Sequence, residues 1–158
     1  MRKEFALILE DFMEKDESIV LLVGDVGFGI FDSIKKKFPK RFLNIGSSEQ
    51  LIIGIAAGMA IEGKLPICYS ITPFILYRPF EFIRNFMNEE QIRIKLVGSG
   101  RDADYKEAGF THHAFEAKPI LQVLKNLELY YPGDLEELQT QVPSFLKSSK
   151  PGFLSLSR

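Results

Sequence analysis

Short apolar runs alternate with segments of helical periodicity along the whole chain, and this alternation constrains the fold more than any other feature. The run 19–23 ends at Gly24-Asp25 and is typical of a buried strand, whereas apolar residues recur at helical spacing in 3–15. Strands separated by helices predict a mainly parallel sheet covered by helices on both faces, a three-layer α/β/α fold. The predicted strands are 19–23, 41–45, 65–71, 92–97, 127–131 and 153–156, and the predicted helices are 3–15, 30–38, 48–62, 80–87, 117–125 and 134–146.

The size and charge of the chain limit what it can be. Its 158 residues fit one compact domain. The formal net charge is −1, so we expect no broad electrostatic attraction to nucleic acid or to an anionic membrane. The basic run Lys35-Lys36-Lys37 is more typical of a solvated helix face than of a binding patch.

A single cysteine bears on the compartment in which the protein works. Cys68 lies in an apolar run, which predicts a buried, inert thiol and suits a reducing cytoplasm. Acidic residues interrupt any apolar core near the N-terminus, so no signal peptide is predicted. No uncharged run approaches the roughly 18 residues that a membrane-spanning helix requires.

Glu49 stands out because it follows a predicted strand and opens an apolar helix. Ligands of parallel sheets bind beyond the carboxyl ends of the strands, so this position is a candidate for a site. The carboxylate could simply be favoured by the helix dipole. Alternatively, it could be a partly desolvated acid with a raised pKa that is used for proton transfer. Ser47 and Gln50 are spaced as a capping box for the same helix.

The helix that follows Glu49 is apolar on almost every side over 51–61, with Gly54 and Gly58 four residues apart. A helix of this kind is buried on most of its surface. The pattern alone leaves two possibilities open, a central core helix or a helix that another subunit partly covers.

Three further groups of residues lie after predicted strands. The glycine-rich turn at 24–29 lacks the G-x-G-x-x-G spacing, which favours a tight turn over a flavodoxin-like or nucleotide-binding module. Phe74 and Tyr77, in a predicted loop, could belong to the core or form a stacking face for a flat heterocycle. His112 and His113 end a long polar loop, and one of them could bind substrate or relay a proton. They could also be a surface pair, and no cysteine or further histidine supports a zinc site.

Several of these segments occur in the order found in one known domain. Together they resemble the pyrimidine-binding domain of transketolases and deoxyxylulose-phosphate synthases, over nearly the whole chain. The segment around Ser48-Glu49-Gln50 and its helix is the most specific part. The matching segments are 45–50, 53–60, 80–84, 95–99, 107–113, 132–134 and 151–158.

The resemblance implies a role for each candidate residue. Glu49 would hydrogen-bond to N1′ of the aminopyrimidine of thiamine diphosphate and so activate the cofactor, which an apolar setting that raises the carboxyl pKa would assist. Phe74 would stack on the pyrimidine, and Tyr77 would be a second aromatic near it. Asp25 matches an acid near the cofactor, and His112 matches a histidine that contacts substrate.

The chain departs from the family pattern in two places. The loop 104–109 and His113 are bulkier and more charged than the corresponding family residues, which disfavours the usual sugar-phosphate substrates. The Gly-Asp-Gly motif and Asn pair that hold Mg²⁺ and diphosphate in the family are absent, so no metal ligand is predicted in this chain. The resemblance therefore implies a split enzyme, in which residues 1–158 form the pyrimidine-binding domain.

In such an enzyme a separate diphosphate-binding subunit would hold Mg²⁺, in an assembly of two copies of each chain (α2β2). Its implied activity is transfer of a two-carbon ketol unit between sugar-type substrates. A decarboxylase or synthase subunit and a non-catalytic scaffold domain are the alternatives.

Overall fold

The computed structural model describes all of residues 1–158, and its centre is one six-stranded sheet. Every neighbouring pair of strands is parallel, and the strand order is β2-β1-β3-β4-β6-β5. The predicted parallel sheet is therefore confirmed. The strands are β1 (Ile19–Val23), β2 (Phe42–Asn44), β3 (Leu65–Ile71), β4 (Lys95–Ser99), β5 (Glu128–Tyr130) and β6 (Gly152–Leu156).

Seven α-helices connect the strands or flank them. The fifth continues into a π-helical segment, Ile83–Glu89, and the long loop after β4 contains two short 3₁₀ turns, Lys106–Ala108 and Phe110–His112. No helix is both long enough and apolar enough to cross a membrane. The helices are α1 (Arg2–Lys15), α2 (Asp32–Lys37), α3 (Glu49–Ile61), α4 (Thr72–Tyr77), α5 (Phe80–Phe82), α6 (Ala117–Gln122) and α7 (Leu135–Lys147).

Two separate apolar cores, one on each face of the sheet, make the predicted three layers. Successive side chains of a strand point to opposite faces, so Leu21 enters one core and Leu22 the other. Helices α1, α2 and α7 cover the first face, and α3, α4 and α6 cover the second. Because both faces are covered, the central strands are buried at almost every position.

Helix α3 combines both possibilities that its sequence left open. Its inner side, which includes Ile52 and Ala56, is fully buried in the second core. Its outer side exposes apolar residues, with Leu51 55% and Ile61 71% accessible. The predicted capping box is wrong, because Ser48 precedes the helix and no side chain caps its first turn.

Two other elements differ from the prediction. The segment 72–77, predicted as a loop, is helix α4, because Ile75 and Leu76 are fully buried and fix the backbone against the second core. The strand predicted at 92–97 is Lys95–Ser99 instead. The backbone N–H of Ile92 donates to the Phe86 carbonyl at 2.9 Å, so this apolar residue closes the preceding helix.

Lys95 is a fully buried cation at the start of β4. Its Nζ donates to the Lys150 carbonyl at 2.6 Å and lies 5.1 Å from the centre of the Phe145 ring. Desolvation lowers the pKa of Lys95 from 10.5 to about 8. Between these two values the unfolded chain binds more protons than the folded chain, so this group makes stability rise with pH across that window.

We expect Lys95→Met to remove this part of the pH dependence. Urea denaturation of both proteins from pH 7 to pH 10 should show a free energy of unfolding that rises less steeply in the variant above pH 8. The exposed Lys64 provides the matched control, since Lys64→Met should leave the wild-type slope unchanged. Equal slopes for Lys95→Met and wild type would contradict the assignment.

Candidate active site

The carboxyl ends of β1, β2 and β3 place Glu49 at the centre of a small polar group. Its side chain is completely buried, although it stands at the first position of α3. The Ser70 hydroxyl donates to Oε1 at 2.8 Å, and Arg78 Nη1 donates to Oε2 at 2.6 Å. A Cβ added at Gly24 would lie 3.1 Å from both Oε1 and the Ser70 hydroxyl, so a larger residue there would crowd the carboxylate.

Ser70 and Arg78 are the functional residues that sequence reasoning missed. The sequence predicted an apolar setting for Glu49, whereas the structure supplies a hydroxyl and a cation as its partners. A buried charge needs such partners, because burial without them is strongly unfavourable. That requirement is the only signal in the sequence, and it names no particular residue.

Arg78 also joins Glu49 to Phe74. The guanidinium carbon lies 3.9 Å from the centre of the Phe74 ring, so the planar cation packs over the aromatic face while it pairs with the carboxylate. Phe74 stands on α4, and the ring of His112 approaches it edge-on at 4.8 Å. The structure thus brings together three predicted site residues through Arg78, with Glu49 at one end and His112 at the other.

This group fits the aminopyrimidine of thiamine diphosphate. The observation is that a planar, nitrogen-containing side chain already occupies the space between the Phe74 ring and the buried Glu49 carboxylate. An aminopyrimidine needs the same two features, an aromatic face for stacking and a carboxylate beside a ring nitrogen. The Arg78 side chain is 45% exposed, so it can leave this space for solvent.

The structure does not bring Tyr77 into this group. Its hydroxyl donates to Glu116 Oε2 at 3.4 Å, and its ring lines an apolar cleft of about 480 Å³ with Phe80 and residues of α6. Burial, with Glu116 as a further cause, raises the pKa of Tyr77 to about 12. Tyr77 and Phe74 share helix α4 but serve different surfaces.

Asp25 also stands apart from Glu49. It follows β1 with a positive φ of 56°, and Asn44 holds it by two 3.0 Å hydrogen bonds, one to its backbone N–H and one to its carboxylate. Asp25 lines a neighbouring cleft of about 270 Å³ together with Tyr69 and Tyr105. Neither Glu49 nor Phe74 lines that cleft.

The two adjacent histidines have different surroundings. His112 contacts Phe74, and its Nδ1 lies 3.0 Å from the Thr111 hydroxyl. His113 instead packs edge-on against Phe115 at 5.7 Å, and its Nε2 is buried without a hydrogen-bond partner. Only His112 therefore faces the Glu49 group. No cluster of three or more His, Cys, Asp or Glu side chains is arranged to hold a metal ion.

Comparison with known proteins assigns the family. The model for the transketolase pyrimidine-binding domain matches residues 1–158. The chain therefore belongs to this family, and not to the flavodoxin-like modules that the glycine-rich turn left open.

The relatives include chains that are themselves sections or subunits of transketolases. The chain is 28% identical to a putative transketolase C-terminal section of Methanocaldococcus jannaschii, which covers 100% of this chain and 50% of that protein. It is also 28% identical to a 6-deoxy-6-sulfo-D-fructose transketolase subunit of a Clostridium species, with 100% and 49% covered. One of the apulose-4-phosphate transketolase subunits of Actinobacillus succinogenes is 26% identical, with 77% and 39% covered. The chain thus spans half or less of the length of these relatives.

Solved structures agree with this fold. A split-gene transketolase described as an inactive β4 tetramer matches with a TM-score of 0.84 and 27% identity, over 99% of this chain and 50% of that one. Transketolase from Leishmania mexicana matches with a TM-score of 0.88 and 21% identity, over 99% of this chain and 25% of that one. The second likeness bears on the fold alone.

Proposed function

We propose that residues 1–158 act as the pyrimidine-binding domain of a split, thiamine-diphosphate-dependent enzyme that transfers a two-carbon ketol unit between sugar-type substrates. The observation that carries this proposal is the planar Arg78 guanidinium held between the Phe74 ring and the buried Glu49 carboxylate. Relatives named as transketolase subunits for sulfofructose and apulose 4-phosphate support ketol transfer as the reaction class.

In this proposal Glu49 holds a proton at the pyrimidine ring nitrogen N1′. Ser70 keeps one carboxylate oxygen in place, so that the other, now paired with Arg78, is presented to the heterocycle. Phe74 supplies the stacking face once Arg78 has turned towards solvent. When bound, the cofactor supplies a nucleophilic carbon and an electron sink for the substrate carbonyl.

The other predicted site residues take supporting roles. With Nδ1 beside Thr111, His112 has Nε2 available to hydrogen-bond a substrate hydroxyl or move a proton there. Asp25 would line the cofactor from the neighbouring cleft, and Tyr77 would border it from the far side of α4. Neither contacts Glu49 or Phe74, so the proposal depends on them less.

A separate diphosphate-binding subunit would complete the site and hold Mg²⁺ and the diphosphate. The relatives named as sections or subunits, and the fraction of each that this chain spans, support a partner chain. The exposed apolar side of α3, with Leu51 and Ile61, provides a surface suited to protein association. We propose an α2β2 assembly in the cytoplasm, which a single buried free thiol, Cys68, suits.

Isolation of the native complex tests this function. The tagged chain should bring down its partner from its own cells, and the complex should transfer a two-carbon unit from a ketose to an aldose. The activity should require added thiamine diphosphate and Mg²⁺. Carbon dioxide release from a 2-oxo acid would instead identify a decarboxylase or decarboxylating synthase. An assembled complex with neither activity would identify a scaffold domain.

A further inference from the structure

A second polar cavity opens beside the sheet, between α4, α6 and the ends of β5 and β6. It encloses about 250 Å³, and none of the residues assigned to the cofactor or substrate lines it. Its position next to the loop that carries His112 makes it a candidate for a separate ligand. The lining residues are Thr72, Arg101, Asp102, Ala114, Ala117, Lys118, Tyr131 and Ser155.

Two hydroxyl groups in the lining are buried and have no hydrogen-bond partner. Thr72 is only 2% exposed, and its Oγ1 makes no hydrogen bond within the chain. The hydroxyl of Tyr131 is likewise buried and unpaired. Buried polar groups are almost always satisfied, so two such hydroxyls around one cavity indicate a ligand that accepts hydrogen bonds. Burial raises the pKa of Tyr131 to about 12, which keeps its hydroxyl protonated and able to donate.

The charged lining groups are mostly cationic. Arg101 is fixed by hydrogen bonds from Nε to the Ser155 hydroxyl at 3.0 Å and from Nη2 to the Pro132 carbonyl at 2.8 Å. Its Nη1 donates to no group of the chain, and the Lys118 ammonium lies 5.7 Å from the Tyr131 ring centre. Asp102 is the only acidic residue in the lining. Burial lowers the pKa of Arg101 below its ordinary value, and a bound anion would offset that unfavourable burial.

We propose that this cavity binds a small tetrahedral oxyanion of the phosphate type, either the free ion or the phosphate group of a small phosphomonoester. Arg101 and Lys118 supply the positive charge, and the hydroxyls of Thr72 and Tyr131 donate to the anion oxygens. Asp102 can accept from a hydroxyl group of the phosphomonoester. A metal ion does not suit the cavity, because hard cations need several oxygen acceptors, whereas these groups are mostly donors.

The bound anion would also stabilise the base of the loop that carries His112. The Ala114 N–H donates to the Asp102 carbonyl at 2.8 Å, which closes the loop, and both residues line the cavity. This inference does not depend on the proposed ketol transfer. It concerns a different set of residues, and binding can be measured without turnover.

Titration of the full chain with inorganic phosphate, followed by amide NMR, tests the proposal. Saturable shifts should be concentrated at Asp102, Ala114 and Lys118. Lys118→Met should weaken binding about 10-fold, as expected for the loss of one charge-assisted hydrogen bond. The exposed Lys125 outside the cavity is the matched control, and Lys125→Met should leave the affinity at the wild-type value.

Two nearly isosteric variants test the hydroxyls without altering the charge. Thr72→Val and Tyr131→Phe should each weaken phosphate binding several-fold while the melting temperature stays at or above the wild-type value, because each removes an unpaired buried polar group. A parallel titration with glycerol phosphate distinguishes the two sources, since tighter binding than that of phosphate identifies a phosphomonoester. Shifts that do not saturate, or equal effects of Lys118→Met and Lys125→Met, would overturn the proposal.

Discussion

Glu49→Gln should reduce turnover of the assembled enzyme by about 100- to 10,000-fold, the usual range for loss of a group that transfers a proton. The amide oxygen can still accept hydrogen bonds from Ser70 and Arg78, which now hold the carboxylate at 2.8 and 2.6 Å. The fold and both contacts should therefore persist. Glutamine cannot hold an acidic proton at a ring nitrogen, so the chemical role alone is lost.

The matched control for this experiment lies at the other end of the same helix. Glu62 follows α3 and is exposed, so Glu62→Gln makes the same chemical change away from the Ser70–Glu49–Arg78 group. The kcat of both variants in the complex, together with circular dichroism and thermal melting of each chain, separates loss of chemistry from loss of structure. A Glu49→Gln enzyme with near wild-type kcat would refute the assigned role.

The isolated chain should bind thiamine diphosphate at least about 100-fold more weakly than the complete complex does, a difference of about 2.7 kcal/mol. The chain offers a stacking face at Phe74 and a carboxylate at Glu49, which serve the pyrimidine only. The diphosphate is strongly anionic and needs Mg²⁺ or cationic groups to offset its charge. In the proposed enzyme the partner subunit provides these groups.

Calorimetry of the chain alone and of the complex, each with and without Mg²⁺, measures this difference. Thiamine without its diphosphate is the matched control ligand. The chain alone should bind thiamine and thiamine diphosphate with similar weak affinity, whereas the complex should strongly prefer the diphosphate. Tight, Mg²⁺-dependent binding of thiamine diphosphate by the chain alone would exclude a site shared between two polypeptides, yet leave the Glu49 prediction standing.

Much of the fold followed from local pattern. The alternation of apolar runs and helical segments predicted all six strands, and the run 65–71 has the bounds of β3. The segment 72–77 was the clear exception, since its aromatic and proline-containing sequence was interpreted as a loop. Its helix is held by burial of Ile75 and Leu76 in the second core, and that packing partner is not visible in a local window.

The sequence by itself determined the parallel sheet, the edge at which ligands should bind, and the place of Glu49 at that edge, because these depend on apolar periodicity and on residues close together in the chain. Only the tertiary structure decided the partners. Arg78 pairs with Glu49 across 29 positions and Ser70 across 21, and His112 turns towards Phe74 while His113 turns away. Parallel strands return to the same edge through long crossovers, so residues distant in sequence meet there, and side-chain direction depends on packing that no local pattern encodes.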